Sequence, residues 1–269
     1  HLQEFNKKLN FEDFNEDGIA DFINYMGKKG MKNSTINKQL GFLRWYLRWC
    51  YEKDYHTNHT FEHFKPKLKS ASKRVIFLTQ EELEKVENLK IPEKYTSLEA
   101  VRDVFLFCCY TGLRYSDAYN LTWEDIHNRK IEIVTVKTAD RIIIEINSKS
   151  QAILDKYSDI HFPDKKVLPI ISNQKMNKRL HTLCKLAGID EPIKSTHYEG
   201  NKRIDEVKPK YELVGTHCGR RTFICTALAK GIPPSVVMKW TGHSDYKAMK
   251  PYIDIADEVK SSYMKQFDD

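Results

Sequence analysis

Apolar residues recur at three- and four-residue spacing through most of this chain, the mark of helices with one buried face; they alternate with polar residues only in short stretches. Phe14, Ile19, Phe22 and Ile23 make a broken helical pattern within Phe11–Met26. Ile36, Leu40, Leu43 and Leu47 repeat along one face of a second helix, for which Ser34 and Thr35 offer N-cap chemistry. Thr79-Gln-Glu-Glu82 is a capping box that opens a helix, and Leu98–Tyr110 is a strongly apolar helix ended by Gly112. Asp117 starts a short helical piece. Lys130–Val136 and Arg141–Ile146 are rich in β-branched residues, with Thr138-Ala-Asp140 as the hairpin turn between them. Helices follow over 149–157 and 173–187, and 190–213 is polar and irregular, with a second hairpin as one reading. Thr222–Lys230 is helical, Pro233-Pro234 opens another helix that Gly242 closes, and Tyr252–Phe267 reads as a last amphipathic helix.

The expected fold is mostly α with small β-hairpins, in two domains. Residues 1–66 form a helical domain and 76–269 a larger mixed α/β domain. Phe64–Arg74 holds few core residues, one Pro and five bases, so 67–75 is expected to be a basic linker that lets the two domains close around a partner.

Composition narrows the class. The 269 residues are 41% hydrophobic and 30% charged, enough apolar material for one or two real cores. The apolar run Val104–Tyr110 is far too short to span a bilayer, and no signal peptide opens the chain, so the expected compartment is the cytoplasm. Six cysteines show neither CxxC nor zinc spacing and read as reduced thiols. The net charge of +7 suits a polyanion without requiring one, but its distribution says more. Residues 11–21 carry five acids and no base, whereas 28–74 carry twelve Lys or Arg against Glu52, Asp54 and Glu62. Such a basic block, with aromatics interleaved, favours nucleic acid over a merely solvated face. Lys38, Arg44 and Arg48 on the second helix, with Lys65, Lys67, Lys69, Lys73 and Arg74, are the candidate DNA contacts.

Four stretches carry candidate chemistry: Thr111-Gly-Leu-Arg114-Tyr-Ser-Asp117, Val136-Lys137-Thr138, Thr216-His217-Cys-Gly-Arg220-Arg-Thr222, and Thr241-Gly-His243 with Tyr252 nine residues beyond. Each alone reads as an ordinary surface or packing residue. Together they place two Arg, one Lys, two His and one Tyr at junctions between elements, where functional groups concentrate.

In order and spacing this set resembles the tyrosine recombinases, or phage integrases, over nearly the whole chain. The first domain is similar to that family's core-binding domain and the second to its catalytic domain. The resemblance implies a fixed set of roles. Arg114 and Arg220 grip the phosphate, Lys137 protonates the leaving oxygen, and His217 accepts a proton or orients the phosphate. His243 donates to a phosphate oxygen, Asp117 supports from behind, and Tyr252 is the nucleophile that forms a 3′-phosphotyrosine. It further implies a site-specific recombinase needing neither metal nor cofactor, acting on double-stranded DNA as a homo-tetramer across two duplexes. Within the family, the polar 190–213 stretch is similar to integrases of Bacteroides-type mobile elements. A chain opening on His1 is expected to lack an N-terminal arm-binding part. A type IB topoisomerase and a non-catalytic DNA-binding protein are the alternatives. Two departures stand out: Arg221 occupies a position where the family often has His, and Pro251 directly precedes Tyr252, leaving Tyr246 as a poorer-fitting alternative nucleophile. The last helix, with Ile253, Ile255, Val259, Met264 and Phe267, reads equally as packing on its own domain or on a neighbour.

Overall fold

The computed structural model describes residues 1–72 and 74–255. It divides into two compact units, one of His1–Arg74 with Lys194–Val207, the other of Val75–Ile193 with Lys208–Asp269. Among the described residues no helix is long and apolar enough to cross a membrane.

In the first unit, helices α1 (Leu2–Phe5), α2 (Glu16–Lys28), α3 (Asn33–Glu52) and α4 (Thr60–His63) enclose Phe14, Ile19, Phe22, Met26, Ile36, Leu40, Leu43, Leu47 and Phe61. The break in the first periodic stretch is real. Phe11–Asp13 is a separate 3₁₀ turn, and α2 begins only after Asn15, whose side chain accepts from the Gly18 amide. Ser34 and Thr35 do not cap α3; they lie inside its first turn, because Asn33 is already helical. The Asn33 side chain is buried for another purpose. Its Nδ2 donates to the carbonyls of Lys69 (2.9 Å) and Gly200 (2.8 Å), and its Oδ1 accepts from the Gly200 amide (2.8 Å). One amide thus ties together the start of α3, the segment after α4 and the tip of a hairpin.

That segment corrects the expected linker. Over 64–69 the side chains alternate: Phe64, Pro66 and Leu68 are half-buried while Lys65, Lys67 and Lys69 are exposed. Phe64 and Leu68 pack on the core, so 67–69 belong to the first unit. The hairpin is β4 (Pro192–Glu199) with β5 (Lys202–Pro209), the ordered form of the stretch that reads as polar and irregular in the sequence.

The second unit is built around α6 (Ser97–Thr111), in which Leu98, Val101 and every residue of Val104–Cys109 are buried; a helix apolar on all sides has to be surrounded. Helices α8 (Ser148–Tyr157), α9 (Asn173–Leu186) and α10 (Thr216–Ala229) pack on it, and α5 (Gln80–Glu87) starts at the expected Thr79 capping box. Strand β1 (Ile126–His127), which the alternation does not reveal, joins β2 (Lys130–Val134) and β3 (Arg141–Glu145) in an antiparallel sheet of order β1-β2-β3, with Ile131 opposite Ile144. Helix α11 (Pro234–Thr241) starts on Pro at its first turn and packs on β3 and α10.

Two helix ends turn the chain sharply where the candidate chemistry begins. Helix α6 ends at Gly112 with φ 75°, and α11 at Gly242 with φ 60°, both left-handed C-caps. A Cβ at Gly112 would sit 2.5 Å from Cδ1 of Phe223, so both the dihedral and the space exclude a side chain. Gly112→Ala is expected to lower unfolding free energy by about 2 kcal/mol or more, from the left-handed strain and the overpacking together. Urea denaturation checks this; a loss below about 0.5 kcal/mol would mean that Phe223 moves aside freely.

Candidate active site

The seven residues singled out from the sequence come from five places in the second unit. Arg114 is the N-cap position of α7 (Tyr115–Asn120), directly after the Gly112 turn, and Asp117 lies in that helix's first turn. Lys137 stands on the turn between β2 and β3. His217 and Arg220 are in the first turns of α10, His243 follows the Gly242 cap of α11, and Tyr252 sits in a helical stretch over 250–255. The expectation that α10 starts at Thr222 is corrected by six residues. Gly215 is its N-cap, and the Thr216 amide donates to Asn177 Oδ1 on α9 (2.8 Å), so a neighbouring helix supplies the cap that the local sequence lacks. His217, Arg220 and Arg221 consequently share one arc of a rigid helix instead of a loop.

Arg220 is 1% exposed. Its Nη1 donates to the Gly112 carbonyl at 3.0 Å and its Nη2 to the Thr241 carbonyl. The first belongs to the C-cap of α6 and the second to the last residue of α11, so the guanidinium sits at two helix C-termini, the ends that carry partial negative charge. Burial and the charge of Arg114 press its pKa down to about 10, while Asp117 and Tyr252 act the other way, which puts all three within electrostatic reach.

Asp117 is buried and works in two directions. Its Oδ1 accepts from the Val136 amide at 3.0 Å, which fixes the turn carrying Lys137. Its Oδ2 faces Arg114 Nη1 at 3.7 Å, an ion pair too long for a hydrogen bond. Arg114 Nη1 is thereby a buried N–H with no acceptor, a costly arrangement that an anionic oxygen would relieve. At the Lys137 turn, the hydroxyls of buried Thr135 and exposed Thr138 are 2.8 Å apart, and Lys137 itself is exposed.

The two histidines are held neutral. His243 Nδ1 lies 2.8 Å from Thr241 Oγ1, and that hydroxyl donates its proton to the Val237 carbonyl at 2.6 Å. Nδ1 is therefore the donor, and Nε2, 3.5 Å from Arg220 Nη2, carries the lone pair. Burial first, then Arg220, Arg114 and His217, bring the His243 pKa to about 4. His217 keeps an exposed side, yet its pKa also falls to about 4, from loss of hydration and then repulsion by Arg221, Arg220, Arg114 and Lys137. Those four cations, with Asp117 as the carboxylate set against them, make this a place for a multiply charged anion.

Arg221, known from the sequence only as a departure from the expected motif, exerts the largest charge effect on His217, and its Nε is buried without a partner. The carbonyls of Gly112 and Thr241 are equally invisible in the sequence, since main-chain acceptors leave no residue-type signal. Tyr246, the alternative nucleophile, is 59% exposed on a 3₁₀ turn, whereas Tyr252 packs beside Met249 and Val237. Among the described residues no cluster of His, Cys, Asp and Glu could hold a metal ion. The expected last helix is described only to residue 255; Val259, Met264 and Phe267 lie outside the described residues.

The candidate DNA contacts lie in the first unit. Lys38, Lys65, Lys67, Lys69 and Arg74 are exposed, and Lys73 lies outside the described residues. Arg44 is not a free cation, since its Nη2 donates to the Phe64 carbonyl at 2.7 Å, and Arg48 pairs with Glu62 at 3.0 Å.

The sequence profile described as the phage integrase family matches residues 76–258, and the phage integrase SAM-like domain matches residues 1–68. No curated protein sequence matches significantly. Among solved structures the fold is similar to that of the lambda integrase (75–356) dimer bound to a COC′ core site, at TM-score 0.71 and 18% identity over 94% of this chain and 84% of that one. It is similar also to the Tn1549 transposon integrase (residues 82–397) in complex with circular intermediate DNA, at 0.65 and 16% over 91% and 82%. The lambda integrase tetramer bound to a Holliday junction gives 0.69 and 17% over 95% and 69%.

The neutral histidines have a measurable consequence. Unfolded imidazoles titrate near 6.5, so between about 4 and 6.5 the unfolded chain binds more protons than the folded one. These two residues therefore subtract stability as pH falls through that window and are silent above it. Urea midpoints at pH 5 and pH 7.5 should differ less in a His217→Gln/His243→Gln variant than in the parent; equal differences would show that the imidazoles are not desolvated. Arg221→Gln should raise the His217 pKa, read by ring-proton NMR titration, and leave His243 nearly unmoved. An unchanged His217 would mean that Arg221 points away from it.

Proposed function

Because the chain belongs to the phage integrase family, the tyrosine recombinases, we propose that it breaks and rejoins DNA strands through a 3′-phosphotyrosine at Tyr252. The observation that carries this reading is the buried Arg220 held beside Arg114, whose Nη1 lacks an acceptor, with Tyr252, His217, His243 and Lys137 within the same electrostatic neighbourhood.

In the proposed reaction the Tyr252 hydroxyl attacks the scissile phosphorus and its proton passes to His217, which is neutral and so able to take it. The bond to the 5′ oxygen breaks as Lys137 supplies the proton that the leaving group needs. A 5′ hydroxyl of another strand then attacks the phosphotyrosine, releases Tyr252 and restores a phosphodiester, so two substitutions replace one and no external energy is consumed. Arg114 and Arg220 neutralise the non-bridging oxygens as charge grows on them, the kind of preorganised charge that supplies much of catalysis. His243 faces Arg220 with a lone pair when no anion is bound. Burial is the larger cause of that neutrality; a bound phosphate offsets the cations' share of it and favours Nε2 as a donor to a phosphate oxygen. Asp117 positions both Arg114 and the Lys137 turn.

The family profiles, meeting between residues 68 and 76, support a division into a DNA-gripping domain and a catalytic domain. Exposed Lys38, Lys65, Lys67 and Lys69, with Arg74, are proposed to hold phosphates of the duplex. The likeness to the Tn1549 transposon and lambda integrases supports a mobile element as source and a tetramer across two duplexes as the working assembly.

The test is the covalent complex. With nicked duplexes from DNA flanking its own gene, the protein should give a protease-sensitive shifted band on denaturing gels. Tyr252→Phe should abolish it, and Arg114→Ala or Lys137→Ala should slow its formation by roughly 10²-fold or more. A band that persists in Tyr252→Phe and vanishes in Tyr246→Phe would reassign the nucleophile. Relaxation of supercoils with no joined product would make the chain a topoisomerase.

A further inference from the structure

Thr241 is the last residue of α11 and is fully buried, at 0% exposure. In the sequence it is only the opening of Thr241-Gly-His243, and the proposed reaction gives its side chain no part. In the structure it reaches two functional groups at once. Its carbonyl accepts from Arg220 Nη2, and its hydroxyl lies 2.8 Å from His243 Nδ1. The hydroxyl is itself anchored, 2.6 Å from the Val237 carbonyl one turn back, with the Met238 carbonyl at 3.5 Å. Two contacts then assign the protons of the ring. The single hydroxyl proton goes to the Val237 carbonyl, so Oγ1 turns a lone pair to Nδ1 and Nδ1 carries hydrogen. On the other side Nε2 lies 3.5 Å from Arg220 Nη2, a nitrogen that can only donate, so Nε2 presents a lone pair. Both contacts require the same tautomer. The main chain of His243 is fixed as well, its amide donating to the Met238 carbonyl at 3.1 Å behind the Gly242 cap. Rotation of the ring and the choice of tautomer are what remain, and the Thr241 hydroxyl removes both freedoms.

We propose that Thr241 is a positioning residue for strand transfer: its hydroxyl holds the His243 ring by Nδ1, so that Nε2 is the edge presented beside Arg220 to the scissile phosphate. The proposal rests on the recombinase reading for the identity of that phosphate, and Thr241 acts through His243 without touching DNA. Because Oγ1 accepts from Nδ1, the hold persists when Nε2 gains a proton, since both nitrogens of an imidazolium donate. Valine at this position would keep the branched shape and the carbonyl that Arg220 uses, but would leave Nδ1 without its acceptor. The ring would then be free to turn or to carry its proton on Nε2. Serine would keep the hydroxyl and with it the hold.

Two measurements on the full chain test this. The first needs no DNA. Long-range ¹⁵N–¹H spectra at neutral pH, with the His243 signals identified by their loss in His243→Gln, should show a ring protonated on Nδ1 in the parent and in Thr241→Ser. In Thr241→Val the spectra should move toward the form protonated on Nε2, with circular dichroism unchanged. The second is the rate of covalent-complex formation on nicked duplexes. Thr241→Val should slow it by roughly tenfold or more, the scale of a misplaced catalytic group. Thr241→Ser should stay within about threefold of the parent, and in a His243→Gln background Thr241→Val should change the rate by less than about threefold, because the two residues act as a unit. A parent ring protonated on Nε2 overturns the proposal, and so does a Thr241→Val spectrum like the parent's. An equal loss in the His243→Gln background, or no rescue by serine, would make Thr241 a packing residue and overturn it too. If the parent forms no covalent complex, the recombinase reading fails by itself, while the spectra still uphold or overturn the hold on the ring.

Discussion

The buried guanidinium of Arg220 is the contact on which the site depends. A charge at 1% exposure is costly, and this one is matched by carbonyls at the ends of two helices, the α6 C-cap Gly112 and Thr241 of α11. The helices can present those carbonyls only because each ends in a left-handed glycine that turns the following chain away. Each glycine delivers a chemical group just beyond it: Arg114 two residues after Gly112, His243 directly after Gly242. One interaction therefore fixes three cationic or basic groups, and the path from sequence to site runs through two main-chain dihedrals. Gly242 is constrained further by the sheet, since a Cβ there would lie 3.1 Å from Ile142 on β3, the strand that leads away from the Lys137 turn.

The candidate site's residues are visible in the sequence as chemically distinct side chains at characteristic spacing, and the second unit holds all seven of them. The helix ends around them are legible for a related reason: Gly112, Gly242 and Pro234 are residues whose backbone preferences need no tertiary context. Where the sequence misleads, the missing information is long-range. Cys218, Gly219 and two adjacent arginines make a poor helix opening, which moves the expected start of α10 to Thr222. The structure begins it at Thr216 because Asn177, on another helix, caps it. Likewise 67–69 read as linker from composition alone, whereas the alternation of Phe64, Pro66 and Leu68 with three lysines is an extended segment lying on a core. Asn33, an ordinary residue next to two good caps on sequence grounds, gains its importance from Gly200, 167 positions away.

The same contrast separates the candidate DNA contacts. In the sequence Arg44 and Arg48 join Lys38 as bases lying off the centre of the apolar stripe. Their partners, the Phe64 carbonyl and Glu62, come from a segment that α3 does not contain. Arg reaches such fixed acceptors with a planar fork, while the lysines of 65–69 are exposed along an irregular segment. Basic composition therefore overstates how much of the first unit's charge is available to a polyanion.

Electrostatics finally explains why a site this cationic can exist in a folded protein without tearing itself apart. Asp117 is the carboxylate that faces the cations, and it is stretched between Arg114 and the Val136 amide instead of quenching either fully. A shorter Arg114–Asp117 hydrogen bond would stabilise the empty fold and occupy the N–H that an anionic oxygen needs. Keeping the pair at 3.7 Å leaves the cationic field of Arg114 and Arg220 only partly cancelled; that field adds to burial in keeping the imidazoles neutral, and Arg114 Nη1 stays a buried N–H without an acceptor. An anionic oxygen placed there would supply the acceptor that Arg114 Nη1 lacks. On the proposed reading, that relief is greatest for the species with the most negative charge on its oxygens, the transition state for transfer and not the ground-state ester.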